Sequence, residues 1–131
     1  MTGLDTNALV RFLVEDDRRQ TDRVQRFLAR SRTLGERVYV SAIVLCEAVW
    51  VLRSAFAKSR AEVLEAVQQL LSTDIFVVEE EDSVRAALDL CRTGKADFVD
   101  CLIGRLNLAK GCRSTVTFDR SLRETAGFTM L

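Results

Sequence analysis

Short strand-like runs alternate with amphipathic stretches along this whole chain, and that alternation limits its possible folds more than any single residue does. Residues 1–4 and the β-branched runs at 37–40, 75–78 and 114–117 read as strands, with a possible last strand at 128–130. Between them, apolar residues recur at helical spacing over 7–14, 21–30 (Val24, Phe27, Leu28) and 59–71 (Val63, Leu64, Val67, Leu70, Leu71). Ser41 stands where a helix N-cap belongs, directly before the apolar stretch 42–52. The acidic run Glu79-Glu-Glu-Asp82 precedes a helix over 83–92, where negative charge suits the helix N-terminus, and reads as a solvated run with no site role. A last helix starts at or beside Asp97 and ends at Lys110-Gly111. Strands that alternate with helices predict an α/β fold, a three-layer α/β/α sandwich around a mainly parallel central sheet. Ligands of such folds sit at the carboxyl ends of the strands.

A length of 131 residues with 48% apolar content supports one domain, 1–131, with a core that needs no stapling. The opening MTGLDTN has neither a basic start nor an apolar h-region, and no apolar run approaches the roughly 18 residues of a membrane span, so a soluble, cytoplasmic protein is expected. Cys46, Cys91, Cys101 and Cys112 form no CxxC pair and read as reduced, small core residues, neither zinc ligands nor a disulfide frame. The 19 basic residues balance the 19 acidic ones, which excludes the general electrostatic attraction of a basic nucleic-acid binder and leaves that role to local patches. All but Lys58, Lys95 and Lys110 of the basic residues are Arg. Arg suits bidentate phosphate contacts, although a GC-rich genome has the same effect on composition. Histidine is absent, which removes the commonest general base and metal ligand and leaves chemistry to carboxylates, hydroxyls or thiols.

The acids are where the pattern becomes chemical. Asp5 follows the first strand, Asp119 follows the strand at 114–117, and Asp97 and Asp100, three apart, share a helix face. If the two strands are parallel neighbours, Asp5 and Asp119 emerge side by side. Glu47 enters from the helix after Ser41, with only apolar residues (Ile43, Val44, Trp50, Val51) at its i±3 and i±4 positions. Each acid also has a structural explanation. Asp5, Asp97 and Asp119 are good N-caps, and Asp100 is an acid that the helix dipole favours. Glu47 lies too deep in its helix to cap, and as a buried charge it requires a cation or a distant Arg. Carboxylate oxygens are hard ligands, so four acids without His or a Cys pair point to Mg²⁺ or Mn²⁺ and to phosphoryl chemistry.

Gly3-Leu-Asp-Thr-Asn-Ala-Leu-Val-Arg11, Val40-Ser-Ala-Ile-Val-Leu-Cys-Glu47, Ala96-Asp-Phe-Val-Asp-Cys-Leu-Ile103 and Thr117-Phe-Asp-Arg120 resemble, in order and spacing, the motifs of PIN-domain ribonucleases, in particular VapC-type toxins of toxin–antitoxin modules. The resemblance runs essentially end to end. It implies an α/β/α sandwich with a pocket of acids that binds Mg²⁺ or Mn²⁺ and hydrolyses single-stranded or looped RNA. By position it makes Asp5, Glu47, Asp100 and Asp119 the catalytic, metal-binding acids, with Asp97 auxiliary and Thr6 and Asn7 orienting the ligands. It also implies a homodimer silenced by a small antitoxin, and a metal-activated water that leaves a 5′-phosphate and a 3′-hydroxyl. Three alternatives compete. A PIN-fold module without strong activity, serving RNA binding or regulation, would not need every expected acid. A receiver-like signalling domain needs adjacent acids at the first strand, and Asp5 has no acidic neighbour. A flap-endonuclease-like enzyme needs more chain than this.

Overall fold

Two residues suffice for the first strand, β1 (Thr2–Gly3), because its ladder is completed by the next one. The Thr2 N–H donates to the Arg37 carbonyl and the Leu4 N–H to the Tyr39 carbonyl, which sets β1 parallel to β2 (Val38–Val40). β3 (Phe76–Val78) adds to the other side of β2, also parallel, so the order is β1-β2-β3. The computed structural model describes residues 1–131, which divide into two compact units, Met1–Glu79 and Glu80–Leu131.

In the first unit the crossovers are helical, as parallel strands require. β1 leads into α1 (Thr6–Leu13) and α2 (Arg18–Thr33), and β2 into α3 (Ala42–Ser54) and α4 (Arg60–Ser72). Ser41 caps α3 by accepting from the Val44 N–H at 3.2 Å. Ser59 and Glu62 form a reciprocal capping box at α4. Leu9 and Val10 of α1, Val38 and Val40 of β2, Leu45 and Leu52 of α3, and Val67 and Leu70 of α4 are almost wholly buried. Phe12 meets Phe76 edge to face, with ring centroids 5.0 Å apart. The acidic run is not uniformly solvated. Glu79 is half-buried and accepts from the Tyr39 hydroxyl at 3.0 Å and the Ala42 N–H at 3.2 Å, which ties the start of α3 to the end of β3.

The second unit holds α5 (Glu81–Thr93), α6 (Phe98–Ala109), β4 (Thr115–Thr117), a single 3-10 turn (Arg120–Leu122) and β5 (Phe128–Met130). β4 pairs in parallel with β5 as a two-stranded sheet. The reason is local. A connection containing one 3-10 turn and Gly127, whose φ of 88° is the left-handed region that Gly tolerates, returns the chain at once to the edge of β4. Gly104 of α6 lets β5 approach, since a Cβ there would lie 2.8 Å from Cε2 of Phe128. Cys91 and Cys101 are buried and Cys46 is half-buried, all as free thiols, but Cys112 is exposed, which corrects its assignment to the core. It follows the C-terminal turn of α6, where the chain runs at the surface toward β4. No helix is long and apolar enough to cross a membrane.

Candidate active site

Asp5 sits between β1 and α1 with an extended backbone (φ −89°, ψ 175°), and its Oδ1 accepts from the Ala8 N–H at 2.9 Å. It is the N-cap of α1, as its position after a strand allows. The cap bond uses one of its oxygens and leaves the exposed carboxylate accessible at the strand's carboxyl end. Thr6, the first residue of α1, turns its hydroxyl to a different acid, with Oγ1 donating to Glu47 Oε2 at 3.1 Å. Asn7 is exposed beside it. The structure thus links the segment after β1 to α3 through Thr6 and Glu47.

Glu47 itself requires a correction. It is exposed and not buried, and no Arg or Lys pairs with it. Helix α3 buries Leu45, Ala48, Val49 and Leu52 and turns Ile43, Glu47 and Trp50 outward, with Ile43 72% and Trp50 69% exposed. Those three residues, at i, i+4 and i+7, form the opposite stripe of the helix. A helix that is apolar on nearly every side does not reveal from sequence which stripe faces water. That is why the charge looked stranded.

In the second unit, Asp97 has the extended backbone of an N-cap (φ −70°, ψ 154°), yet its side chain makes no cap hydrogen bond to α6. The capping explanation therefore fails for this acid. Asp100, in the first turn of α6, is half-buried. Its carboxyl is pushed above the usual range, chiefly by desolvation and further by the charges of Asp97 and Asp119. Asp119 caps the 3-10 turn. Its Oδ1 accepts from the Ser121 N–H at 2.9 Å and the Ser121 hydroxyl at 2.7 Å, and these donors hold its own pKa down. Arg120, adjacent in sequence, forms no ion pair with Asp119. Ser121 is the partner that sequence reasoning missed, although an Asp followed two residues on by Ser is a recognisable Asx-turn pattern.

These acids thus fall into two groups, Glu47 with Thr6 beside the Asp5 cap in the first unit, and Asp97, Asp100 and Asp119 in the second. No three His, Cys, Asp or Glu side chains converge closely enough to form a ready-made metal cage. The donor chemistry nevertheless fits a hard divalent cation. Mg²⁺ in phosphoryl-transfer sites is held by one or two carboxylates, with waters and substrate phosphates completing its shell. Carboxylates close enough for Asp97 and Asp119 to raise Asp100 are ready acceptors for such an ion.

An α/β chain with parallel strands and acids at strand ends and helix starts defines a recognisable class. The PIN domain model matches residues 4–128, and the chain belongs to this family. It is also similar to the VapC ribonuclease of Aquifex aeolicus (strain VF5), with 27% identity over 124 residues that cover 95% of this chain and 91% of that protein.

Proposed function

We infer that this chain is a VapC-type endoribonuclease, the toxin of a toxin–antitoxin pair, that hydrolyses RNA phosphodiesters with Mg²⁺ or Mn²⁺. The observation that carries this most directly is the Asp97, Asp100 and Asp119 group, in which the charges of the other two help to raise Asp100 and none of the three has an ion-pair partner. The near full-length similarity to a ribonuclease supports it. Because one family model spans both units, we take residues 1–131 as a single functional domain. A cytoplasmic homodimer, silenced by a small antitoxin, accompanies the proposal through the family resemblance.

Asp5, Glu47, Asp100 and Asp119 would hold the ion, with Asp97 auxiliary. When bound, the divalent ion supplies the positive charge that lowers the pKa of the attacking water and stabilises in-line displacement at phosphorus. The chain's own residues prepare that step. The Thr6 hydroxyl fixes the orientation of Glu47, and both Ser121 donors keep Asp119 ionised and in one rotamer. Asn7 offers an amide at the same helix start as Thr6. With no His in the chain, a 2′-hydroxyl route run by a His pair is closed, and attack by a metal-activated water would leave a 5′-phosphate and a 3′-hydroxyl.

The test is incubation of the protein with total RNA in Mg²⁺, in EDTA, and as the Asp5→Asn variant. Cleavage confined to the wild type in Mg²⁺ is expected, and cleavage that survives EDTA would sink the proposal. The lack of a ready-made three-ligand cage favours one alternative, a PIN-fold module that binds RNA without cutting it. RNA binding with no cleavage under any metal condition would select that alternative.

A further inference from the structure

The second unit holds a cleft of about 570 Å³, between the end of α5 and the 3-10 turn. That volume is within the usual range of ligand sites, about 300–1,000 Å³. Lys95, Arg120 and Arg123 line it, all three exposed, and Glu124 is the only acid among its lining residues. None of the three cations takes part in an ion pair, whereas Arg85, Arg92 and Lys110 of the same unit each do. Three like charges gathered on one cleft repel one another, and an anion seated there offsets that cost.

The cleft is tied to the acids by the chain itself. Lys95 lies two residues before Asp97, and Arg120 directly follows Asp119. A surface whose three cations lie within four residues of Asp97 or Asp119 suits a polyanion. Its reacting phosphate would lie at the acids with their cation, and its neighbouring phosphates on the basic cleft. The two guanidiniums present planar donor forks that match phosphate oxygens.

We propose that the cleft lined by Lys95, Arg120 and Arg123 binds the backbone phosphates of single-stranded RNA that flank the phosphate to be cut, and so positions the strand. The proposal rests on the nuclease assignment above and adds a substrate subsite to it. Free inorganic phosphate shares the recognised chemistry, and the experiment separates the two.

The full chain is titrated in EDTA with a fluorescent single-stranded RNA about 12 nucleotides long, within the usual span of single-strand sites. Anisotropy is read at several salt concentrations. Each neutralised phosphate of a single strand contributes about 0.7 to the slope of log affinity against log salt, so Lys95→Gln/Arg120→Gln/Arg123→Gln should lower the slope by about 2. Between about 50 and 200 mM salt the wild type then weakens roughly twentyfold more than the variant. Arg123→Gln alone should remove about 0.7 of slope, which keeps the test readable if the triple variant folds poorly.

An unchanged slope overturns the proposal. So does displacement of the RNA by inorganic phosphate at matched charge concentration, which marks a small-anion pocket. Binding of poly-glutamate with no binding of RNA also overturns it, in favour of an acidic protein partner. Wild-type cleavage in Mg²⁺ with an unchanged slope sinks only the cleft. A lowered slope in a protein that never cuts RNA sinks the nuclease assignment and keeps the cleft.

Discussion

Asp5 has two roles to separate, a helix cap visible in the hydrogen bonds and a metal ligand proposed from chemistry, and a pair of substitutions does so. Asp5→Asn keeps an oxygen able to accept from the Ala8 N–H at the observed 2.9 Å, and Asn caps helices about as well as Asp. Its stability should stay within about 0.5 kcal/mol of wild type. Asp5→Ala removes the acceptor and should cost about 1 kcal/mol. For a 131-residue chain that is a fall in melting temperature of roughly 3–5 °C. Activity should behave differently. Both variants lose one negative charge from the proposed ion site, where charge stabilisation is worth several kcal/mol. Since about 1.4 kcal/mol is a factor of ten in rate, cleavage of a labelled RNA in Mg²⁺ should fall by at least about a hundredfold in both. Calorimetry in EDTA gives the first quantity and initial cleavage rates the second. If Asp5→Asn cleaves like wild type, Asp5 is a cap and nothing more.

Three further outcomes follow from the same geometry. Glu47→Gln, at an exposed position where the amide oxygen still accepts from Thr6, should change stability by no more than about 0.5 kcal/mol while abolishing metal-dependent cleavage; a loss near 3 kcal/mol on chemical denaturation would instead reveal a buried ion pair. Thr6→Val deletes the hydroxyl that orients Glu47 and should lower the cleavage rate about 10–100-fold, with an unchanged rate refuting the orienting role. Asp100 titrates above its ordinary range in the folded protein, so over the window from the unfolded pKa to the folded one the native state binds more protons. The metal-free protein should lose stability as pH rises through that window, and Asp100→Asn should flatten this slope and melt higher at neutral pH in EDTA. A variant with the wild-type slope would show that Asp100 carries no such penalty.

The strand and helix order was legible because each element carries its own local code. Ser41 and Ser59 mark helix starts, the β-branched 75–78 run marks a strand, and Gly111, with φ 90°, ends α6 where Lys110-Gly111 suggested. Properties decided by which face of an element meets water were not legible. Glu47 looked buried because its helical neighbours are apolar, and only the packing of Leu45, Ala48, Val49 and Leu52 reveals that its stripe is the outer one. The pairing of β4 with β5 was hidden for a related reason, since parallel partners across a short return leave no periodic trace in sequence. Among the acids, type and spacing were visible, but the bond each makes was not. Asp5 and Asp119 cap as their positions allow, whereas Asp97, at an equally suitable position, leaves its cap unmade.

The central claim is hydrolysis by a water at a carboxylate-held ion, and the chemistry of the cut ends tests it most directly. Mass spectrometry of a defined RNA cleaved in Mg²⁺ should find 5′-phosphate and 3′-hydroxyl termini and an intact strand in EDTA. Fragments ending in 2′,3′-cyclic phosphate would contradict it.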